Sequence, residues 1–321
     1  MKKKELFTEK KRERAITFHV SQDEFLAMNK EERAAYIARV IDIRRDRINR
    51  TANQKAAARA LEKVNRKQNL TVSEFEALTG CMFSHNMTGK MLNILSLSSN
   101  VFMNERCIAR LLSGKGICAE CFAAALQMQY DDTFINTAYN SLYLSSKIIP
   151  LEIIPVIDAD ELRIESFGDV RNWIQAANYF RFAEKNENIP VTAWTKNPDF
   201  YDEAVKRGFK KPKNFTLILS SFNLNERVEI PEKYRYIIDK TFTVYTLEWL
   251  LKNNLDYRFI NCGARSCKRC QKCYGRAYCS GDDIRELLKA DAKQAAKIWP
   301  EFNIDTPIQD TTTIDFSMFR V

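Results

Sequence analysis

Six short apolar runs constrain this chain more than any other feature. They lie at 94–98, 162–166, 191–194, 215–220, 242–245 and 257–261. Helix-forming segments fall between them: Ala123 to Ser146, Asn172 to Asn186, Phe200 to Arg207 and Leu247 to Lys252. Alternation of this kind, with near-continuous apolar strands, is the pattern of a parallel sheet covered by helices. About six units are too few for a full eight-fold barrel. The spacing therefore predicts an α/β fold, either a partial (β/α)6 barrel or an open parallel sheet. In both, polar residues at the carboxyl ends of the strands line the site.

Those ends carry chemistry-bearing residues repeatedly. The first run leads to a loop with Cys107, Cys118 and Cys121, spaced C-x10-C-x2-C, with Gly114-Lys115-Gly116 before the last pair. Two thiolates two residues apart on a turn reach one metal centre, and glycines let the backbone wrap it closely. Three sulfurs suit an iron–sulfur cluster with one open iron, or an incomplete zinc site. Phe167-Gly168-Asp169, Thr195-Lys196 and Ser220-Ser221 follow the next runs. The last run leads into Cys262, Cys267, Cys270, Cys273 and Cys279, whose CxxCxxC core is a stronger signal than any lone pair. Four of these sulfurs close either an iron–sulfur or a structural zinc site, with Cys279 an alternative to Cys262. The compact run lacks the well-separated knuckles usual for zinc. Lys268, Arg269, Lys272 and Arg276 either offset thiolate charge or grip a phosphate. Cys81 stands alone and reads as core.

The positive charge is unevenly placed. Residues 1–70 hold 19 Lys and Arg against 10 Asp and Glu, which accounts for the whole net charge of +9; the remaining residues hold 31 of each. The domain expectation is a basic tail over 1–20, a basic helical extension over 21–80, and an α/β cysteine-rich domain over 81–321. Ser21 with Glu24 makes a capping box. Residues 29–67 lack Gly and Pro and read as helix, with a break near Thr51-Ala52-Asn53. The basic helices are either a nucleic-acid contact or a solvated face. Leu70 to Gly80 matches the first half of a helix-turn-helix, with its turn at Gly80-Cys81, and also any short capped helix. The start, MKKKELFTEKKRER, lacks the apolar core of a signal peptide. No stretch reaches the length of a membrane span. The expectation is a cytoplasmic protein, in which clustered thiols read as metal ligands rather than disulfides.

Two resemblances rest on these motifs. The order GKMLNILSLSSN, C-x10-C-x2-CF-A, RIESFGDVRN, AWTKNP and C-x4-C-x2-C-x2-CY, over roughly residues 88–280, resembles the phage "gene product eighty-eight" domain family. That family brings kinship and a phage or mobile-element origin, but no settled activity. The layout is also similar to that of radical S-adenosylmethionine enzymes, which have a partial (β/α)6 barrel. By that resemblance Cys107, Cys118 and Cys121 hold a [4Fe-4S] cluster whose open iron chelates S-adenosyl-L-methionine. Phe167, Gly168 and Asp169 then lie where the methionine amine is contacted, and the C-terminal cysteines hold an auxiliary cluster. The chain departs from the usual pattern in its cysteine spacing, in Glu120 before the last cysteine, and in FGDV where a GGEP-like motif is usual.

Local readings stand beside these. Asp169 either accepts from an ammonium or caps the helix beginning near Arg171. Lys196 either binds an anion near a helix start or is simply exposed. His85 is a ligand, a proton shuttle or a surface histidine; with only His19 and His85, histidine-based catalysis is disfavoured. Trp173, Trp194 and Trp249 read as core or pocket wall. Two functions are carried forward: an iron–sulfur enzyme of radical S-adenosylmethionine type acting on an unknown substrate, and a zinc-stabilised nucleic-acid-binding protein with structural cysteines.

Overall fold

The structure is a computed structural model and describes residues 20–85, 91–92, 94–262, 267–270, 272–274 and 283–301. Its centre is a seven-stranded sheet whose strands lie side by side in chain order. They are β1 (Ser84–His85), β2 (Leu95–Leu97), β3 (Leu162–Ile164), β4 (Val191–Thr195), β5 (Phe215–Ser220), β6 (Lys240–Tyr245) and β7 (Asp283–Leu287). β1 runs antiparallel to β2, and every other pairing is parallel. The molecule is thus an α/β protein built on a mostly parallel open sheet.

Strand composition decides the two faces of the sheet. Registers Leu162↔Val191 and Val191↔Phe215 put Leu162, Ile164, Val191, Ala193, Phe215, Leu217 and Leu219 on one face. All are buried in one core cluster, with Ala176, Phe180 and Phe182 of the helix Trp173–Lys185 and Tyr201 and Ala204 of Pro198–Lys206. The intervening residues Arg163, Thr192, Trp194 and Thr216 point to the opposite face.

The N-terminal segment is four helices: α1 (Gln22–Ala27), α2 (Lys30–Ile48), α3 (Thr51–Asn65) and α4 (Val72–Thr79). The capping box of Ser21 and Glu24 is present, and Asn29–Glu32 and Thr71–Glu74 form two more. The helical break falls at Asn49–Arg50, just before the position expected from sequence. Phe25, Val40 and Ile41 are buried in one cluster with Val101, Phe102, Phe134 and Ile135 of the α/β body. Many cations here are engaged within the chain. Arg44 donates to the Gly80 carbonyl, and Arg47, Lys63 and Arg66 pair with Asp132, Glu74 and Glu62.

Three expectations are corrected. The helix-turn-helix is not formed: Gly80 ends α4 in the left-handed conformation, and the chain continues extended into β1. Residues 123–146 are two helices, α6 (Phe122–Gln129) and α7 (Asp131–Ser146), separated at Tyr130, whose backbone is extended. Residues 257–261 are not the last strand. Asp256 accepts from the Arg258 amide and closes a 3-10 turn over Tyr257–Phe259. Phe259 and Ile260 are apolar because they pack against Tyr245, Leu247 and Leu250. The last strand is β7, beyond the second cysteine group. His85 lies exposed on β1. Cys81 is fully buried, as a lone core cysteine should be.

The packing of Phe25 yields a test. Phe25→Ala should destabilise the chain by about 3–5 kcal/mol, the usual loss for a fully buried phenylalanine. In urea unfolding the signal of Trp194, on the sheet, should shift with that of the helices. Separate transitions would show that the helices are not part of the core.

Candidate functional site

The loops leaving β2, β3 and β4 meet at one edge of the sheet. Ser98 Oγ accepts from the amides of Ser166 at 3.0 Å and Phe167 at 3.3 Å. Asn104 caps α5 (Glu105–Leu112), which carries Cys107. Its Nδ2 donates to the carbonyls of Asp169 at 2.9 Å and Val170 at 3.1 Å. After α5 the chain turns through Gly114 and Gly116. A Cβ at Gly116 would meet the Phe222 carbonyl oxygen at 2.4 Å, and the next amide, of Ile117, donates to that oxygen at 2.9 Å. Glycine there lets the cysteine loop lie against the chain leaving β5. Cys118 follows, and Cys121 precedes α6 directly.

Cys107, Cys118 and Cys121 are each partly buried, and Cys107, Cys121 and Phe167 pack on the same core cluster as Phe102. Burial raises the Cys107 thiol pKa, with Asp169 adding to the rise and Arg110 opposing it; Cys121 also acts on it. Burial likewise raises Cys118, while Lys196 and Arg110 favour its thiolate and Cys121 and Asp169 disfavour it. The three sulfurs thus share one electrostatic neighbourhood with two cations and the carboxyl groups of Asp169 and Glu165. Among the described residues, no three side chains of His, Cys, Asp or Glu stand close enough to hold a single metal ion. None of the described cysteines is in a disulfide.

Asp169 has a definite structural duty. Its carboxylate accepts from Thr195 Oγ1 at 2.7 Å, the Lys196 amide at 2.8 Å, Asn197 Nδ2 at 3.0 Å and the Val170 amide at 2.7 Å. Arg110 stands 3.8 Å from the same group. The expected helix cap is corrected: Asn172 caps the helix Trp173–Lys185 through the Gln175 amide. With its oxygens taken up by the chain, Asp169 ties the loop after β3 to the loop after β4. Gly168, at φ 79°, makes this possible, since a Cβ would meet the Ser99 carbonyl oxygen at 2.7 Å. Phe167 lies beside Phe122, with ring centroids 6.3 Å apart, and Phe122 is 64% exposed. The Lys196 backbone is fixed by Asp169 and Arg110, and its ammonium acts on Cys118.

Sequence reasoning missed Glu165. It follows β3 with φ 58°, a left-handed conformation that costs a non-glycine residue about 1–3 kcal/mol. Its buried carboxyl accepts from the Ser99 amide at 2.9 Å, Ser99 Oγ at 2.7 Å, Gln175 Nε2 at 2.9 Å and the Tyr179 hydroxyl. Burial pushes its pKa up to about 8, against the pull of these donors and with Asp169 adding to the rise. The only trace in the sequence was an acidic residue directly after an apolar strand, two residues before Phe167.

Of the second cysteine group, the segment 272–274 lies away from this edge, whereas Cys262 pairs with Glu286 near the carboxyl end of β7. Thr192, near the start of β4, donates through Oγ1 to the Cys273 carbonyl at 3.0 Å. Lys240, the first residue of β6, donates to the Lys272 carbonyl. Residues 272–274 therefore lie across the polar face of the sheet, toward its amino ends. Cys262 runs beside β7, bridged to Glu286. Cys262, Cys267 and Cys270 all act electrostatically on Cys273, so these four sulfurs also share a neighbourhood. Cys279 and Arg276 lie outside the described residues, as do the side chains of Lys268 and Arg269. Lys272 is buried.

The site is therefore an edge of three stitched loops, the first bearing three thiols, with Cys273 of the second group on the sheet's polar face. Compared with protein-family models, with curated proteins and with solved structures, the chain matches none. Among the described residues, no helix is long and apolar enough to cross a membrane.

Glu165 generates a pH test. Its folded pKa, about 8, lies above the ordinary carboxyl value, so between roughly 4.5 and 8 the folded chain holds a proton that the unfolded chain has released. Stability should fall as pH rises through that window, by at most about 1.4 kcal/mol per unit. Glu165→Gln should flatten that part of the profile. The variant should also be less stable at pH 5, because its amide sets a donor against the Ser99 amide. Urea midpoints between pH 5 and 9 check both; equal slopes in the two proteins would refute the assignment.

Proposed function

We propose that the chain is an iron–sulfur enzyme of radical S-adenosylmethionine type, with Cys107, Cys118 and Cys121 as the ligands of its catalytic cluster. One observation carries the reading: three thiols share an electrostatic neighbourhood at the strand-end edge, beside Arg110 and Lys196. The six parallel strands in unbroken chain order support the finer description, a partial (β/α)6 barrel. The thiols do not converge on one point, and a cluster takes its thiolates on different irons, further apart than the ligands of a single ion. Three cysteines with no fourth donor among the described residues suit a [4Fe-4S] cluster with one open iron. When bound, such a cluster supplies one electron for the reductive cleavage of S-adenosyl-L-methionine, and the protein orients and shields the chemistry.

The residues divide that work. Arg110 and Lys196 set positive charge beside the thiolates. Asp169, saturated by its own chain, holds the loop of Phe167 and Gly168 in place rather than meeting the methionine amine with its carboxylate. Phe122 and Phe167 form an apolar wall at the mouth. The second group, Cys262, Cys267, Cys270 and Cys273, holds an auxiliary metal centre.

Purification without oxygen, followed by iron, sulfide and zinc analysis, tests this. Iron with acid-labile sulfide is expected, together with 5′-deoxyadenosine released from S-adenosyl-L-methionine under reduction. Replacing Cys107, Cys118 and Cys121 together by alanine should abolish that release and leave the metal of the second group. Zinc without sulfide would overturn the reading.

A further inference from the structure

We propose that the substrate brought to the strand-end edge is a single-stranded nucleic acid, its bases stacked on Phe122 and Phe222 and its phosphates met by Lys115 and Lys196. The inference rests on the reading of this edge as the active site.

Two exposed rings frame the thiols. Phe122 is 64% exposed and Phe222 43% exposed. They stand at the two ends of the short segment that bears Cys118 and Cys121. Phe122 follows Cys121 directly and lies beside the half-buried Phe167. The Phe222 carbonyl accepts from the Ile117 amide, next to Cys118, and the Phe222 ring lies 4.5 Å from the Arg110 guanidinium stacked on it. Leu112, at the end of the helix that carries Cys107 and Arg110, is also exposed. Single exposed apolar side chains are ordinary, but grouped ones mark a place where something binds.

Cations are interleaved with the rings. Lys115 is exposed at the turn between Gly114 and Gly116, and Lys196 leaves β4 with its amide on Asp169. Neither ammonium has a hydrogen bond or an ion pair among the described residues. Several acids of this edge are already engaged. Asp169 is saturated by its own chain, the two Nη atoms of Arg106 hold Asp199 at 2.8 and 2.6 Å, and Asn223 Nδ2 donates to Glu226 at 2.5 Å. Glu105 and Glu120 stay exposed, so stacking rather than charge does most of the selecting. The helices α1 and α2, from the segment with the chain's positive surplus, pack through Phe25, Val40 and Ile41 on the same core cluster as Cys107, Cys121 and Phe167. An approaching polyanion therefore meets a molecule of net positive charge.

Aromatic rings beside partnerless cations are how single strands are held: every base has a face to stack, and each phosphate takes a cation. A protein surface fits less well, because lysine is depleted where proteins meet. A duplex fits less well too, since its bases already stack on one another.

Fluorescence anisotropy of short labelled single strands, DNA and RNA, with the full chain purified without oxygen provides the test. One or both should bind, and the duplex of the same sequence and adenosine monophosphate should bind more weakly. Phe122→Ala and Phe222→Ala should each weaken strand binding about five- to a hundredfold, because each ring serves a base. Phe222→Trp, which keeps a stacking face, should retain binding. Lys115→Gln should reduce the slope of log affinity against log salt by about 0.7. Tyr236→Ala removes an exposed ring whose hydroxyl binds Asp202, and should change nothing. Absence of strand binding would overturn the inference. So would binding that survives both alanine variants, or that is lost instead in a Lys55→Gln, Arg59→Gln double variant of α3. Iron and acid-labile sulfide measured on the same sample keep the two failures apart. With both present, lack of strand binding leaves the enzyme reading standing; zinc without sulfide overturns that reading, and with it the strand as a substrate.

Discussion

One buried carboxylate holds the strand-end edge together. Asp169 belongs to the loop after β3, accepts from Thr195, Lys196 and Asn197 after β4, and faces Arg110 on the helix after β2. Its own carbonyl receives Asn104 at 2.9 Å, from the residue that caps that helix. Three loops far apart in sequence are thus fixed to one group. The cysteine loop hangs from α5, so its placement depends on this knot. Burial raises the pKa of Asp169 while the donors around it lower it. A charged carboxylate survives in such a place only when its hydrogen-bond capacity is filled.

The two faces of the sheet explain why the thiol groups end up apart. Parallel sheets are usually apolar on both faces and covered by helices on both. Here one face is wholly apolar and the other mixed: on β3, β4 and β5 the second face carries Arg163, Thr192 and Thr216 beside Trp194 and Ile218. The apolar face takes the helices Trp173–Lys185 and Pro198–Lys206. The other face has hydrogen bonds to offer rather than surface to bury, and the segment 272–274 takes them from Thr192 and Lys240. That segment is held by polar contacts and one aromatic edge, so its cysteines meet a field set by the sheet.

Much of this was legible because it is periodic or local. The strands at 162, 191, 215 and 240 announced themselves by apolar runs, and the capping box at Ser21 by a serine three residues before a glutamate. The failures share one cause, tertiary partners that a local pattern cannot show. Asp-Ile-Arg-Glu-Leu of β7 does not read as a strand, because Asp283 Oδ1 and Arg285 Nε find their partners in Thr241 Oγ1 and the Phe259 carbonyl, which lie elsewhere in sequence. Conversely Tyr257 to Asn261 reads as a strand because Phe259 and Ile260 are apolar for packing alone. At the site, the cysteines were visible by spacing. Glu165 was not, since neither its left-handed backbone nor its burial follows from Glu-Ser-Phe-Gly-Asp. Arg163 was missed for a related reason: the cations expected near the second thiol group were its sequence neighbours.

Net charge proves a poor guide to where charge matters here. The whole surplus lies in the first 70 residues, yet several of those cations are bound to carboxylates or carbonyls of the chain itself. Among the described residues, cations acting on the clustered thiols are Arg110, Lys196 and Arg163, from the part of the chain whose charges cancel. Exposed charges are screened within about 10 Å at ordinary salt, whereas a guanidinium packed on an indole beside a buried sulfur is screened far less. Arg110, Lys196 and Arg163 therefore do more for the clustered thiols than a basic segment carrying the entire net charge.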